Sequence, residues 1–220
     1  GGRPGKGDIA VTPPSDVFEK HHADYRARLA NLDFQRIAPL LGLAPQGDGY
    51  ALPFLDRRYV ISPGGIRDGH GQAPSYATVV VLANYLIRCP GHAHQDTRWA
   101  AFKDLKRESH FTNVNYFASD TEQKIVATFS GQLAALARAA RRMGGEPGDS
   151  DLSYDLVMQF QALPRLALLL LFNDGDEDFP AYATVLFQRQ AEYYLDPESL
   201  AMTSALLVSR LAKQAKTEGI

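Results

Sequence analysis

The longest unbroken hydrophobic stretch of the chain is LALLLLF, residues 166–172, seven apolar positions with no polar interruption. A run without alternation reads as a strand covered on both faces or as a fully buried helix. Pro164 before it, Asn173 after it and the shortness of the run favour a central strand.

Around that run the pattern changes period. Phe18, Tyr25, Leu29 and Leu32 recur at helical spacing behind a capping pair, Asp16 and Glu19, and predict a first helix over 16–31. A short second helix over 34–41 should stop at Gly42, with Pro39 arguing for a kink or an earlier end. Residues 50–54 and 58–62 are rich in aromatic and β-branched types about a short polar link, and predict a hairpin. Tyr76, Val79, Val80, Ala83, Leu86 and Ile87 form one stripe of a helix over 75–88. Residues 92–117 hold no sustained period and read as an ordered, aromatic-rich crossing loop, a kind of segment that often carries function. A helix capped by Asp120 or Thr121 should bury Ile125, Phe129, Leu133, Leu136, Ala140 and Met143 and end at Gly144-Gly145. Arg138, Arg141 and Arg142 suit the negative end of its dipole.

Residues 152–160 and 166–172 should be neighbouring strands, 181–194 mainly helical with a partly extended alternative, and Asp196-Pro197 should open a final helix. The order of elements segregates strands from helices and predicts an α+β fold. We expect one domain over 15–220, with a small antiparallel or mixed sheet (hairpin 49–62, strands near 152–160 and 166–172) packed against several helices. Residues 1–14, with four Gly and three Pro, should form a flexible tail. The opening Gly1-Gly2, without a methionine, leads us to expect a further segment upstream.

Composition narrows the functional classes. A net charge of −2 and a pI near 6.3 offer no clustered basic surface, so neither nucleic acid nor an anionic membrane is an expected partner. No apolar run approaches the ~20 residues of a membrane span. Cys89 is the only cysteine, which excludes an internal disulfide and a four-thiolate metal site and fits a reducing, cytoplasmic setting.

Two clusters carry candidate chemistry. Asp174, Asp176, Glu177 and Asp178 crowd the end of the apolar strand. They fail as an EF-hand because Phe179 and Val185 stand where that loop needs Gly and a bidentate Glu. A looser Mg²⁺ or Ca²⁺ site, a carboxylate with a burial-raised pKa, and a solvated turn capping the next helix are the readings left. Cys89, His92 and His94 place a thiol and two imidazoles within six residues, ligands suited to zinc, copper or iron, with Asp96 or His110 to complete the set. Trp99 and His110, in the aromatic crossing loop, are candidate ligand contacts beside the acids. Neither a phosphate-binding glycine motif nor a nucleophile elbow is present, and no cofactor is assigned.

Several phrases taken together resemble a known family: GYALPFLDRRYVISPGG at 49–65, VVVLANYLIRCPG at 79–91, RWAAFKDL at 98–105, ALPRLALLLLFNDGDEDFPAYATVLF at 162–187 and YLDPESLA at 194–201. Over roughly residues 20–212 the chain resembles the bacterial and archaeal family of domains of unknown function 3786, with Glu177-Asp178 where that family usually has Glu-Glu. The family implies no established activity. Some relatives are fused to a cysteine-rich iron–sulfur segment like that of corrinoid proteins, which this sequence does not contain. The expected function is a small-ligand-binding or partner-binding accessory domain with its site near residues 174–180. A metal-dependent, hydrolytic enzyme using the acids with His92 or His94 is the alternative. A subunit of a redox or corrinoid-linked complex is what the resemblance adds.

Overall fold

In the computed structural model of the chain, residues 15–109, 113–217 and 219 are described. The chain opens with α1 (Ser15–Ala30) and α2 (Phe34–Leu41). Asp33 starts α2 by accepting from Arg36 N at 3.2 Å, and Gly42, at φ 74, ends it. Pro39 lies inside α2 without breaking it. The carbonyls of Pro39 and Leu40 are instead capped from outside by the Arg165 guanidinium, at 2.9 Å each. The expected tail, 1–14, lies outside the described residues.

The expected hairpin forms, as part of an antiparallel meander: β1 (Ala44–Gln46), β2 (Gly49–Phe54), β3 (Arg57–Ser62) and β4 (Gly65–Arg67), in that spatial order. After α3 (Tyr76–Ile87), capped by Ser75, the long crossing segment holds β5 (Trp99–Ala100) and then a helix. That helix runs through α4 (Val114–Phe117), a π-helical stretch Ala118–Gln123 and α5 (Lys124–Phe129), with helical dihedrals at each junction. It starts before the predicted cap and stops short of the predicted end. Gly131, at φ 72, separates it from α6 (Leu133–Arg142).

A second antiparallel sheet follows: β6 (Glu146–Pro147), β7 (Leu156–Leu163), β8 (Leu166–Asn173) and β9 (Tyr182–Gln188), in the order β5-β9-β8-β7-β6. The chain is thus an α+β fold with two separate sheets, where the pattern had suggested one. The apolar run is its central strand, as predicted. The main correction concerns residues 181–194, expected as mainly helical. They form β9 and a 3-10 turn, Arg189–Tyr193. The reason is pairing: Leu169 faces Leu186 and Leu171 faces Thr184, so β9 satisfies the open edge of the buried β8. α7 (Pro197–Lys216) completes the fold. Asp196 stands at its N-cap as predicted, but its carboxylate makes no capping bond.

One continuous core extends from Leu29 to Ala215 and takes in side chains of both sheets. The sheets meet at the turn between β2 and β3. Leu55 there adopts φ 54, a left-handed backbone unfavourable for a branched residue, and its N–H donates to Ala162 O of β7 at 2.9 Å. Arg210 of α7, 6% exposed, locks the same turn. It donates to Asp56 Oδ1 at 2.9 Å, Phe54 O at 3.2 Å and the Tyr59 hydroxyl at 2.9 Å, with its guanidinium 5.2 Å from the Phe54 ring centre. Removing one partner of such a buried pair strands the other charge and a carbonyl. Arg210→Met should therefore cost about 3–5 kcal/mol of stability in a urea titration. A loss below about 1 kcal/mol, the size of an exposed ion pair, would show that this tie is dispensable.

Candidate functional site

β8 is apolar on both faces, and its two faces are covered differently. Leu168, Leu170 and Phe172 turn into the main core with Val185 and Phe187. Leu169 and Leu171 turn the other way, yet are only 1% and 3% exposed. On that second face the cover comes from the strap 148–154 and from the helix that begins at Val114. Gly148 lies so close that a Cβ there would stand 2.6 Å from Leu169 Cδ1. Between strap and helix the cover is incomplete, and the gap is a cleft of about 800 Å³ floored by Leu169, Leu171, Thr184 and Leu186.

Trp99, the chain's single tryptophan, lines one part of this cleft from the edge strand β5. Tyr154 of the strap and Tyr182 of β9 stack at the other, ring centres 6.4 Å apart at 24°. Burial, helped by the nearby Glu122 carboxylate and by Tyr154, raises the Tyr182 phenol above its ordinary range. Leu152, 67% exposed, and the exposed Val114 and Tyr182 add apolar surface at the rim. Exposed apolar side chains are thus gathered at one concavity rather than scattered.

The acidic loop joins β8 to β9 and adjoins this cleft through a shallower hollow of about 740 Å³ that shares Leu152, Tyr154 and Tyr182 with it. Its carboxylates organise the loop itself. Asp174 Oδ1 accepts from Gly131 N at 2.8 Å and Gly175 N at 2.9 Å, and Asp176 Oδ1 accepts from Asp178 N at 2.8 Å and Phe179 N at 2.7 Å. The turn leads into a strand, so no helix is capped. Asp176, Glu177 and Asp178 are exposed, and Phe179, 70% exposed, extends the apolar rim.

The histidines lie elsewhere. His94 shares a hollow with Pro164 and Arg165, at the entrance to β8, whereas the acids follow its exit. Eight residues of strand separate the two ends, roughly 25 Å at the usual strand rise. His94 stacks on Tyr193 (3.8 Å between ring centres, 7°) with His92 4.4 Å away, and Arg107 covers the Tyr193 ring at 4.5 Å. Asp96 is held by Arg98 through bonds of 2.9 and 2.6 Å, which keep its carboxyl at about 2. Cys89 is half-buried against the core, its Sγ 3.5 Å from Pro90 O, and burial raises its thiol pKa. Among the described residues no three His, Cys, Asp or Glu side chains are grouped to hold a metal ion. His110 lies outside the described residues. The structure therefore joins Trp99 and the acidic loop to one concave region and leaves Cys89, His92 and His94 apart from it.

Tyr154, Tyr182 and Glu122 were not foreseen. Tyr182, Thr184 and Leu186 alternate with Ala183, Val185 and Phe187, a strand signal that an expectation of helix over 181–194 concealed.

An α+β domain with one sheet face half covered and opened as an aromatic-rimmed cleft is the class of protein that these features define. The chain belongs to the family described as Domain of unknown function (DUF3786), whose model matches residues 33–210. No curated protein matches the chain, and no solved structure matches it. No helix among the described residues is long and apolar enough to cross a membrane.

His94 gives this region a testable pH dependence. Its pKa is lowered, by burial first and then by His92 and Arg107. The unfolded chain therefore takes the proton first as pH falls. The stability due to neutral His94 is complete above an ordinary histidine value near 6.5 and is lost on acidification towards the lower folded value. The urea midpoint should fall more between pH 7.5 and 5.5 for the wild type than for His94→Phe, which keeps the stack without the titration. Equal falls would refute this assignment.

Proposed function

We propose that this chain is a ligand-binding accessory domain and that its site is the cleft on the second face of the five-stranded sheet, continuous with the acidic loop. The observation that carries the reading is the cleft itself: about 800 Å³, floored by aliphatic side chains of β8 and β9 and lined by Trp99, Tyr154 and Tyr182. That volume and that mixture of apolar floor with a few polar groups suit a small organic molecule. The apolar floor and aromatic rim support binding as the reading of this cleft. A buried-side thiol with a raised pKa is chemically quiet and compatible with a reducing cytoplasm.

Trp99 makes the test direct, since all tryptophan emission arises at the site. Nile red, a neutral apolar dye, should bind saturably with one site per chain, its own emission rising and shifting to the blue while Trp99 emission is quenched on contact. The rim double variant Leu152→Glu with Val114→Glu, both at exposed positions, should weaken that binding about tenfold while leaving the circular dichroism unchanged. Identical isotherms for the wild type and the double variant would remove the site from this cleft.

A further inference from the structure

The cleft has a polarity of charge as well as an apolar floor. Among the described residues four ionisable side chains of fixed sign line it: Glu122, Asp149 and Asp151 are acidic, and Lys103 is basic. The adjoining hollow adds Asp155, Asp174 and Asp176 and, among the described residues, no base. Among the four that line the cleft itself, Glu122 is placed differently from the other three. It is half-buried, whereas Asp149 and Asp151 sit on the exposed strap and Lys103 is exposed beside Phe102. Among the described residues Glu122 forms no ion pair.

Its position is set by the π-helical stretch. In an α-helix each step of four residues overshoots a full turn by about 40°, so Val114, Ala118 and Glu122 would wind progressively off one face. The wider i→i+5 turn of Ala118–Gln123 makes its four-residue step fall short of a turn, and the two drifts oppose each other. Val114, Ala118 and Glu122 therefore all line the cleft. The wide turn is pinned from behind by Thr121, fully buried, whose hydroxyl lies 2.7 Å from that of Ser204 on α7. Such widened turns recur at functional sites. Here it brings a carboxylate into the cleft that also presents the stacked rings of Tyr154 and Tyr182.

A carboxylate that forms no ion pair among the described residues, in one cleft with two electron-rich phenol rings above an aliphatic floor, is complementary to one kind of occupant. We infer that the cleft binds a small organic cation, a quaternary or alkylated ammonium group carried on an apolar body, with Glu122 and the Tyr154–Tyr182 pair receiving the charge and Leu169, Leu171 and Leu186 receiving the body. This inference rests on the reading of the cleft as a ligand site and names its ligand class. Rings supply cation–π attraction, strongest where water is excluded, and the carboxylate adds a direct charge term. A neutral ligand would gain neither, and an anion would be repelled by three acids against one lysine.

The test uses three probes of similar body and different charge: benzyltrimethylammonium, benzyl alcohol and benzenesulfonate, each titrated into the intact chain with Trp99 emission and calorimetry as readouts. The expected order is cation, then alcohol, then anion, with the cation about tenfold tighter than the alcohol. Glu122→Gln should bring the cation to within about threefold of the alcohol and leave the alcohol's affinity unchanged, and Glu122→Asp should retain part of the preference. If the alcohol binds as well as the cation, or Glu122→Gln changes nothing, the charge assignment is overturned and the cleft remains a ligand site. If none of the probes binds and Nile red does not bind either, the reading of the cleft fails, and the inference with it.

Discussion

Everything in this fold answers to a strand that is apolar on both faces. Water must be kept from Leu168, Leu170 and Phe172 on one side and from Leu169 and Leu171 on the other, so β8 requires two covers. The first is the main core shared with the helices. The second is assembled from what the chain has left, a strap that needs glycine at 148 to come close enough and a helix entering at Val114. Because these two pieces do not meet, the demand for burial leaves a concavity over the most rigid part of the sheet. A site built on such a floor is held in shape without any ligand.

The corner where the two sheets meet adds polar ties to the apolar core around Phe54 and Tyr59. The turn between β2 and β3 carries a strained Leu55, and a local strain of this kind persists only when its surroundings fix it. Those surroundings are the bond from Leu55 N to β7 and the guanidinium of Arg210 lying between Asp56, Tyr59 and the Phe54 carbonyl. Two sheets that share no strand pairing are thus joined by a few polar contacts at one corner, and the continuous core extends beneath both.

The acidic segment illustrates how local chemistry and location separate. Four carboxylates in five residues attract attention as metal ligands, yet Asp174 and Asp176 each commit Oδ1 to two backbone N–H groups, of Gly131 and Gly175 and of Asp178 and Phe179. Glu122, by contrast, is one acid in an ordinary helical sequence. It becomes notable because its helix, with a π-helical turn held by a buried Thr–Ser contact, presents it to the cleft together with Val114 and Ala118.

The sequence by itself determined the local elements whose causes are local. Caps and periodicity located α1, α2, α3 and α7, aromatic and β-branched runs located the β2–β3 hairpin, and seven consecutive apolar residues identified the central strand. It also named Trp99 and the acids after residue 172 as candidates, and these border two adjoining hollows. What tertiary structure decided was everything that depends on a partner distant in sequence. Residues 182–188 are a strand because β8 offers them an unpaired edge, the hairpin and β8 fall in different sheets because each finds its own neighbours, and the histidines and acids part because a strand of fixed length stands between them. Periodicity records which face of an element is apolar. Only packing decides what covers that face, and here the incompleteness of one cover is what opens the cleft.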